Sequence, residues 1–135
     1  MPSPSQFRFE KLNVWQSSRR LAGEIYAVTK GFPKEELFGL TSQLRRAAVS
    51  VSANIAEGSG RNSDIDFAHF LELAYGSAME VASLLFLASD AGHLTLTTRG
   101  TLLGLTSEIT AQLNALNQSL TVPRSKTPFP RRPPS

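Results

Sequence analysis

The sequence predicts an all-α fold, an antiparallel up-down-up-down four-helix bundle. Apolar residues recur at spacings of three and four in four successive segments, which is the period of an amphipathic helix. No proline occurs between Lys34 and Val122, so nothing in that stretch forbids long helices. The period-two alternation that is typical of strands is absent from the sequence.

The first two helices are predicted from their apolar stripes and from the residues that end them. We expect the first helix at residues 13–30, because the Gly-Phe-Pro sequence that follows stops it. The second is expected as one long helix over residues 38–61, in which Gly58 and Gly60 provide a left-handed cap. The stripes comprise Val14, Ser18, Leu21, Ile25 and Val28 in the first helix and Leu37, Leu40, Leu44, Ala48, Val51 and Ile55 in the second.

The third helix is expected to begin after Ser63, in a capping box with Asp66 in place of glutamate, and to end at Gly92. It carries more apolar surface than one stripe needs, which indicates burial on more than one side. We therefore expect self-association through this helix; the alternative is a central helix whose flanks touch helices two and four. The extra apolar residues are Leu73, Tyr75, Met79, Leu84, Phe86 and Leu87, and the fourth helix has the stripe Leu102, Leu105, Ile109, Leu113, Leu116 and Leu120.

Composition and charge restrict the class of protein. The 135 residues form one bundle domain, residues 1–122, and a basic, proline-rich tail, residues 123–135, that we expect to be disordered. The net charge of +3 conceals a dipole, since residues 1–61 sum to +4 and residues 62–122 to −5. Without cysteine the chain has no disulfide and no thiolate chemistry. No apolar run reaches the ~20 residues of a membrane span and no signal-like segment opens the chain, so we expect a cytoplasmic protein without a membrane partner.

Three sequence blocks carry a resemblance to a known family. They are FEKLNVWQ at residues 9–16, GFPKEELFGLTSQLRRAA at residues 31–48 and NIAEG at residues 54–58. Over residues 7–94 the chain resembles the 23S rRNA intervening-sequence proteins, small four-helix bundles related to the accessory variability determinants of diversity-generating retroelements. The resemblance implies a homopentameric ring, and RNA or a reverse-transcription complex as the setting. The chain departs from the family at residues 95–108, where relatives tend to be acidic.

The chemistry-bearing residues favour a protein that is not an enzyme and needs no cofactor. Asp66 and His69 have a spacing that places both on one helical face, but a di-iron bundle needs this motif on two helices together with two further carboxylates. The second match, Asp90 and His93, straddles a helix end, so we expect no metal site. No serine lies in a nucleophile elbow, and the glycines near residue 59 lack the lysine of a phosphate loop.

Asn54, Glu57 and Arg61 follow one flank of the second helix at spacings of three and four. We interpret them as a structural polar clamp between this helix and a loop or a neighbouring subunit, since buried polar groups require partners. The alternative is a triplet that contacts a ligand.

Arginines make nucleic-acid binding the preferred functional hypothesis. Guanidinium groups match phosphate oxygens, and a ring would repeat each cluster around its axis. No known base-reading motif is present, so we expect charge-driven binding of RNA or DNA with little sequence preference. The alternatives are solvated helix faces, with pairs such as Arg20 and Glu24, and a protein scaffold that uses helix three and the tail. The predicted contacts are Arg19, Arg20, Arg45, Arg46 and Arg61 in the body and Arg124, Arg131 and Arg132 in the tail.

Overall fold

The computed structural model describes residues 6–122, and these residues form the predicted all-α bundle. Its four long helices are α1 (Asn13–Thr29), α2 (Ser42–Ser59), α3 (Asp64–Asp90) and α4 (Leu96–Ser119). Helices adjacent in sequence pack against each other, and α1 packs against α4 to close the bundle. The described residues contain no strand. The tail at residues 123–135 and its three predicted arginine contacts lie outside the described residues.

The core lies along the bundle axis and uses the predicted stripes. Its largest fully buried side chains come from all four helices, and Phe67 is the largest of them. Burying each large apolar side chain contributes about 1.5–3 kcal/mol, so the stripes account for most of the driving force. The fully buried set includes Leu21, Ile25, Leu44, Val51, Ile55, Phe67, Leu71, Val81, Leu85, Ile109 and Leu113.

The predicted start of the second helix is wrong. α2 begins at Ser42, and it is preceded by a 3-10 turn (Lys34–Glu36) and a π turn (Leu37–Thr41). Gly39 lies within the π turn at φ −115° and ψ −116°, which breaks the helical path. As a result Leu37 leaves the predicted stripe and is 50% exposed.

The expected role of the glycines at the end of α2 is also wrong. Gly60 has φ −88°, and among the described residues only Gly92 has a positive φ, at 84°. Gly58 is buried against α3, where an added Cβ would lie 2.6 Å from Cβ of Phe70 and 3.0 Å from Cδ1 of Phe67. The missing side chain at residue 58 therefore allows two helices to approach closely.

The start of α3 forms one of the two hydrogen bonds of the predicted capping box and its end agrees with the prediction, but one of its flank residues does not. The Ser63 hydroxyl accepts a hydrogen bond from Asp66 N–H, and Gly92 follows the helix. Leu84, expected on a flank, is 6% exposed and belongs to the core. Five large apolar side chains on the outer face of α3 remain exposed, namely Ile65, Leu73, Met79, Phe86 and Leu87, each at least 41% exposed. By length and composition alone α3 could cross a membrane, a test that the core helix of a bundle also passes.

Candidate nucleic-acid interface

The five predicted body arginines do not form one cluster. Arg45 and Arg46 lie in the first turn of α2, whereas Arg61 follows its last turn, about 24 Å away along the helix. Arg19 and Arg20 lie in the first half of α1. The structure thus brings only Arg45 and Arg46 to a common site.

Arg45 is held in place by α1. Its Nε donates a hydrogen bond to Oγ1 of Thr29 at 2.9 Å, and its guanidinium lies 4.7 Å from the ring centroid of Tyr26. Thr29 is itself buried and donates to the Ile25 carbonyl at 2.7 Å. Because both contacts come from a rigid helix, the Arg45 head group is pre-organised rather than free to rotate.

Arg46 is the more exposed of the two arginines. Its Nη2 lies 3.3 Å from Oε2 of Glu80 on α3, and the two side chains are 68% and 41% exposed. An exposed ion pair of this kind contributes only about 0–1 kcal/mol. Another anion that contacts Arg46 can therefore replace the Glu80 carboxylate with little loss of free energy.

An open groove of about 370 Å³ runs beside these two arginines. Its walls combine the two cations with half-exposed apolar side chains, and the adjacent Phe38 on the π turn is 92% exposed. Two of the predicted arginine contacts, Arg45 and Arg46, thus line one groove. The lining residues are Tyr26, Leu37, Thr41, Ser42, Arg45, Arg46 and Val49.

The other predicted arginines are engaged with nearby groups or isolated. Arg61 pairs with Glu57 at 3.0 Å and lies 4.6 Å from the Phe70 ring centroid. Arg19 lies 5.7 Å from the Trp15 ring. Within residues 6–122 Arg20 forms no ion pair with Glu24 or with another acidic side chain.

A polar pair that was not expected from the sequence lies next to the π turn that leads into the groove. His93, in the α3–α4 connection, lies with Nε2 2.9 Å from Oε2 of Glu36, in the α1–α2 connection. The other oxygen of Glu36 accepts the Leu40 N–H at 3.3 Å, across the π turn. The hydrogen bond with His93 is the main cause that lowers the pKa of Glu36, and the Leu40 N–H acts in the same direction. We call these residues the Glu36–His93 pair.

Comparison with known proteins identifies the family to which this bundle belongs. A sequence model described as 23S rRNA-intervening sequence protein matches residues 10–115. The chain belongs to the 23S rRNA-intervening sequence protein family. This confirms the predicted family, while the link to diversity-generating retroelements remains an expectation from the resemblance.

A solved structure supports the same fold for this family member. It is the crystal structure of a protein with unknown function from the S23 ribosomal protein family of Bacteroides thetaiotaomicron VPI-5482. The two chains are 24% identical and superpose with a TM-score of 0.70, over 78% of this chain and 99% of the other. No curated protein matches the chain. The similarity supports the four-helix fold and carries no residue roles.

In this family member the predicted polar clamp separates into two networks. Glu57 and Arg61 form an ion pair, as the clamp requires. Asn54 does not join it, because its Nδ2 donates to the Ser50 carbonyl at 2.9 Å and lies 3.1 Å from Oγ of Ser50. The Ser50 hydroxyl is in turn 2.8 Å from the Ser77 hydroxyl. Asn54 therefore supports the contact between α2 and α3.

The two histidines lie apart from any group of metal ligands. Within residues 6–122 no three His, Asp or Glu side chains are grouped so that they could hold a metal ion. His69 is exposed and packs edge-on against Phe70 with a ring separation of 5.8 Å. His93 is committed to Glu36 and lies 5.4 Å from the Phe32 ring.

Proposed function

We propose that this protein is a non-enzymatic accessory protein that binds the phosphate backbone of RNA or DNA at the groove between α1 and α2. The observation that carries the proposal is the pair Arg45 and Arg46 on one open groove with aromatic and apolar walls. The family description refers to the intervening sequence of 23S rRNA, which is consistent with an RNA setting.

The chemistry of the two arginines suits a polyanion. The bond to Thr29 uses only Nε of Arg45, and a guanidinium presents five N–H donors in a planar fork that matches phosphate oxygens. A phosphate can replace Glu80 at Arg46, since that ion pair is exposed. Such contacts position a nucleic acid without reading its bases. Binding should therefore have little sequence preference.

Assembly would strengthen the binding. The resemblance to the family implies a homopentameric ring, and the exposed apolar residues on the outer face of α3 offer a surface for self-association. A ring would repeat the groove around an axis, so weak individual sites would act together. Arg19, Arg20 and Arg61, and the tail residues Arg124, Arg131 and Arg132, are proposed as auxiliary contacts. A reverse-transcription complex in the cytoplasm is the setting that the resemblance suggests.

The test is a fluorescence titration of RNA and DNA at several salt concentrations, with the full chain and with residues 1–122. We expect both chains to bind, with the logarithm of the affinity falling against the logarithm of salt by ~0.9 per neutralised phosphate on duplex DNA. Binding by the full chain alone would assign the activity to the tail. Absence of binding by either chain at low salt would refute the proposal.

Matched variants locate the site. Arg46→Gln removes one positive charge at the groove, and Lys11→Gln removes one at the opposite end of the bundle. We expect the first to weaken binding about threefold to tenfold and to reduce the salt slope by about one contact, and the second to have a smaller effect. Glu80→Gln should strengthen binding, since it releases Arg46. Equal effects of the two charge removals would contradict a site at the groove.

A protein scaffold is the second candidate function. It is favoured by the outer face of α3, where five large apolar side chains remain at least 41% exposed. The two functions separate experimentally. Loss of nucleic-acid binding in Arg46→Gln with unchanged assembly favours the first candidate, whereas a change of assembly mass alone favours the scaffold.

A further inference from the structure

We propose that the π turn (Leu37–Thr41) is a base-stacking platform, so that the groove prefers single-stranded nucleic acid to duplex. This inference rests on the proposed function and names the class of ligand that the same groove selects. It is carried by three features together: the exposure of Phe38, the adjacent arginine pair and the side chains that fix the turn.

Phe38 is placed in solvent by the backbone of the π turn. Its side chain is 92% exposed, whereas the apolar residues of the helical stripes are buried. The preceding residue Leu37 lines the groove together with Arg45 and Arg46, so Phe38 is one residue along the chain from the groove wall. A second aromatic residue, Tyr26, lines the groove itself and is 43% exposed, with the Arg45 guanidinium over its ring.

This combination matches the physics of single-strand binding. Proteins that bind single strands join a cationic groove, which follows the phosphates, to aromatic rings on which unpaired bases stack. In a duplex the base faces are already stacked, so that only phosphates and groove edges reach a flat protein surface. The arginines would contact the phosphates of single-stranded and duplex nucleic acid alike. Phe38 would contribute only to the binding of a strand with unpaired bases.

The π turn is fixed by Glu36, which we assign as a positioning residue. One oxygen of Glu36 accepts the Leu40 N–H, and the other contacts His93. A Cβ at Gly39 would lie 2.9 Å from Oε1 of Glu36, so glycine leaves room for the carboxylate. His93 is part of the α3–α4 connection, whose backbone is set by Gly92 in its left-handed conformation. Through Glu36, the π turn in the α1–α2 connection is thus linked to His93 in the α3–α4 connection.

The first experiment compares strands. The full chain is titrated with a fluorescent, unstructured RNA of about 15 nucleotides, alone and annealed to its complement. We expect single-strand affinity at least about fivefold higher than duplex affinity, since one stacked base contributes ~1–3 kcal/mol. Equal affinities would refute the stacking platform and leave the proposed function intact. No binding to either would refute the proposed function itself.

Substitutions of Phe38 test stacking separately from apolar contact. Phe38→Ala and Phe38→Leu should each reduce single-strand affinity at least about fivefold and leave duplex affinity within about twofold. Phe38→Trp should retain the preference. Wild-type affinity in Phe38→Leu would show that an apolar contact suffices and would overturn the proposal. A change of assembly mass without a change of affinity would assign Phe38 to a contact between copies of the chain, which also overturns it.

A second experiment tests the positioning residues by hydrogen exchange in the free protein and by strand preference. Hydrogen exchange at the Leu40 amide reports its bond to Glu36 directly. We expect His93→Ala to accelerate this exchange about fivefold and to reduce the single-strand preference, while His93→Gln restores part of both. His69→Ala, on the exposed face of α3, is the control and should change neither. If His93→Ala speeds Leu40 exchange but leaves the single-strand preference unchanged, the Glu36–His93 pair does not position the π turn for stacking.

Discussion

The two ends of α2 use the same residue types for different purposes. At the start of the helix, Arg45 lies over the Tyr26 ring and Arg46 faces an open groove. At its end, Arg61 lies over the Phe70 ring and pairs with Glu57, and Gly58, three residues before it, is buried against α3. One arginine–aromatic contact borders the groove that we propose as a binding surface, and the other lies where α2 packs against α3. The neighbours of a cation, rather than the cation itself, decide its role.

Truncation of one phenylalanine near each end of α2 should give the largest difference in stability between the two regions. Phe67 is buried and carries Arg8 over its ring at 5.0 Å, whereas Phe38 is almost fully exposed. We expect Phe67→Ala to reduce the free energy of unfolding by about 3–5 kcal/mol, and Phe38→Ala by less than about 0.5 kcal/mol. Urea denaturation measures both. A loss above about 2 kcal/mol for Phe38→Ala would mean that the π turn belongs to the core or to a subunit contact.

The close approach of α2 and α3 can be broken next. Gly58→Ala inserts a Cβ 2.6 Å from Cβ of Phe70, so we expect a loss of about 1–3 kcal/mol from overpacking. Gly76→Ala is the matched control, because no atom lies within 4 Å of its Cβ and alanine favours a helix by up to ~1 kcal/mol. The two variants should shift the unfolding midpoint in opposite directions. If both variants shift the unfolding midpoint in the same direction, Gly58 does not have the proposed packing role.

A smaller effect is expected from removing one arginine at each end. Arg46→Gln should weaken RNA binding about threefold to tenfold, and Arg61→Gln by less than about twofold, because Arg46 lines the groove and Arg61 lies beyond the other end of α2. Fluorescence anisotropy at low salt compares them. If Arg61→Gln has the larger effect, the binding surface lies at the opposite end of α2.

The smallest effect concerns the pH dependence of the Glu36–His93 pair. The pKa of Glu36 is lowered in the folded protein, chiefly by the bond to His93, so the carboxylate stabilises the fold above its unfolded pKa. This contribution is lost as the pH falls through the lowered folded value. Between about pH 5 and pH 3, Glu36→Gln should therefore lose less stability than the wild type, as measured by urea denaturation. An equal loss of unfolding free energy with falling pH in the two proteins would contradict a stabilising role of the Glu36 carboxylate.

Local signals allowed the fold to be predicted, whereas the site required contacts that are distant in sequence. The Ser63 cap, Gly92 and the buried stripes are encoded within a few residues of where they act. The break at Gly39 is different, since it depends on Glu36, which His93 holds from 57 residues away. Asn54 likewise bonds to Ser50 instead of Glu57, a choice set by helix packing. The arginine pair was recognisable in the sequence, but its groove was not.

A map of where RNA contacts the protein tests most directly whether the groove between α1 and α2 is the nucleic-acid site. Full-length protein is irradiated with RNA that contains 4-thiouridine, and the crosslinked peptides are identified by mass spectrometry. We expect crosslinks in peptides that carry Tyr26 and residues 37–46, with weaker signals from the tail. Crosslinks confined to residues 123–135, or concentrated on α4, would contradict a nucleic-acid site at the groove between α1 and α2.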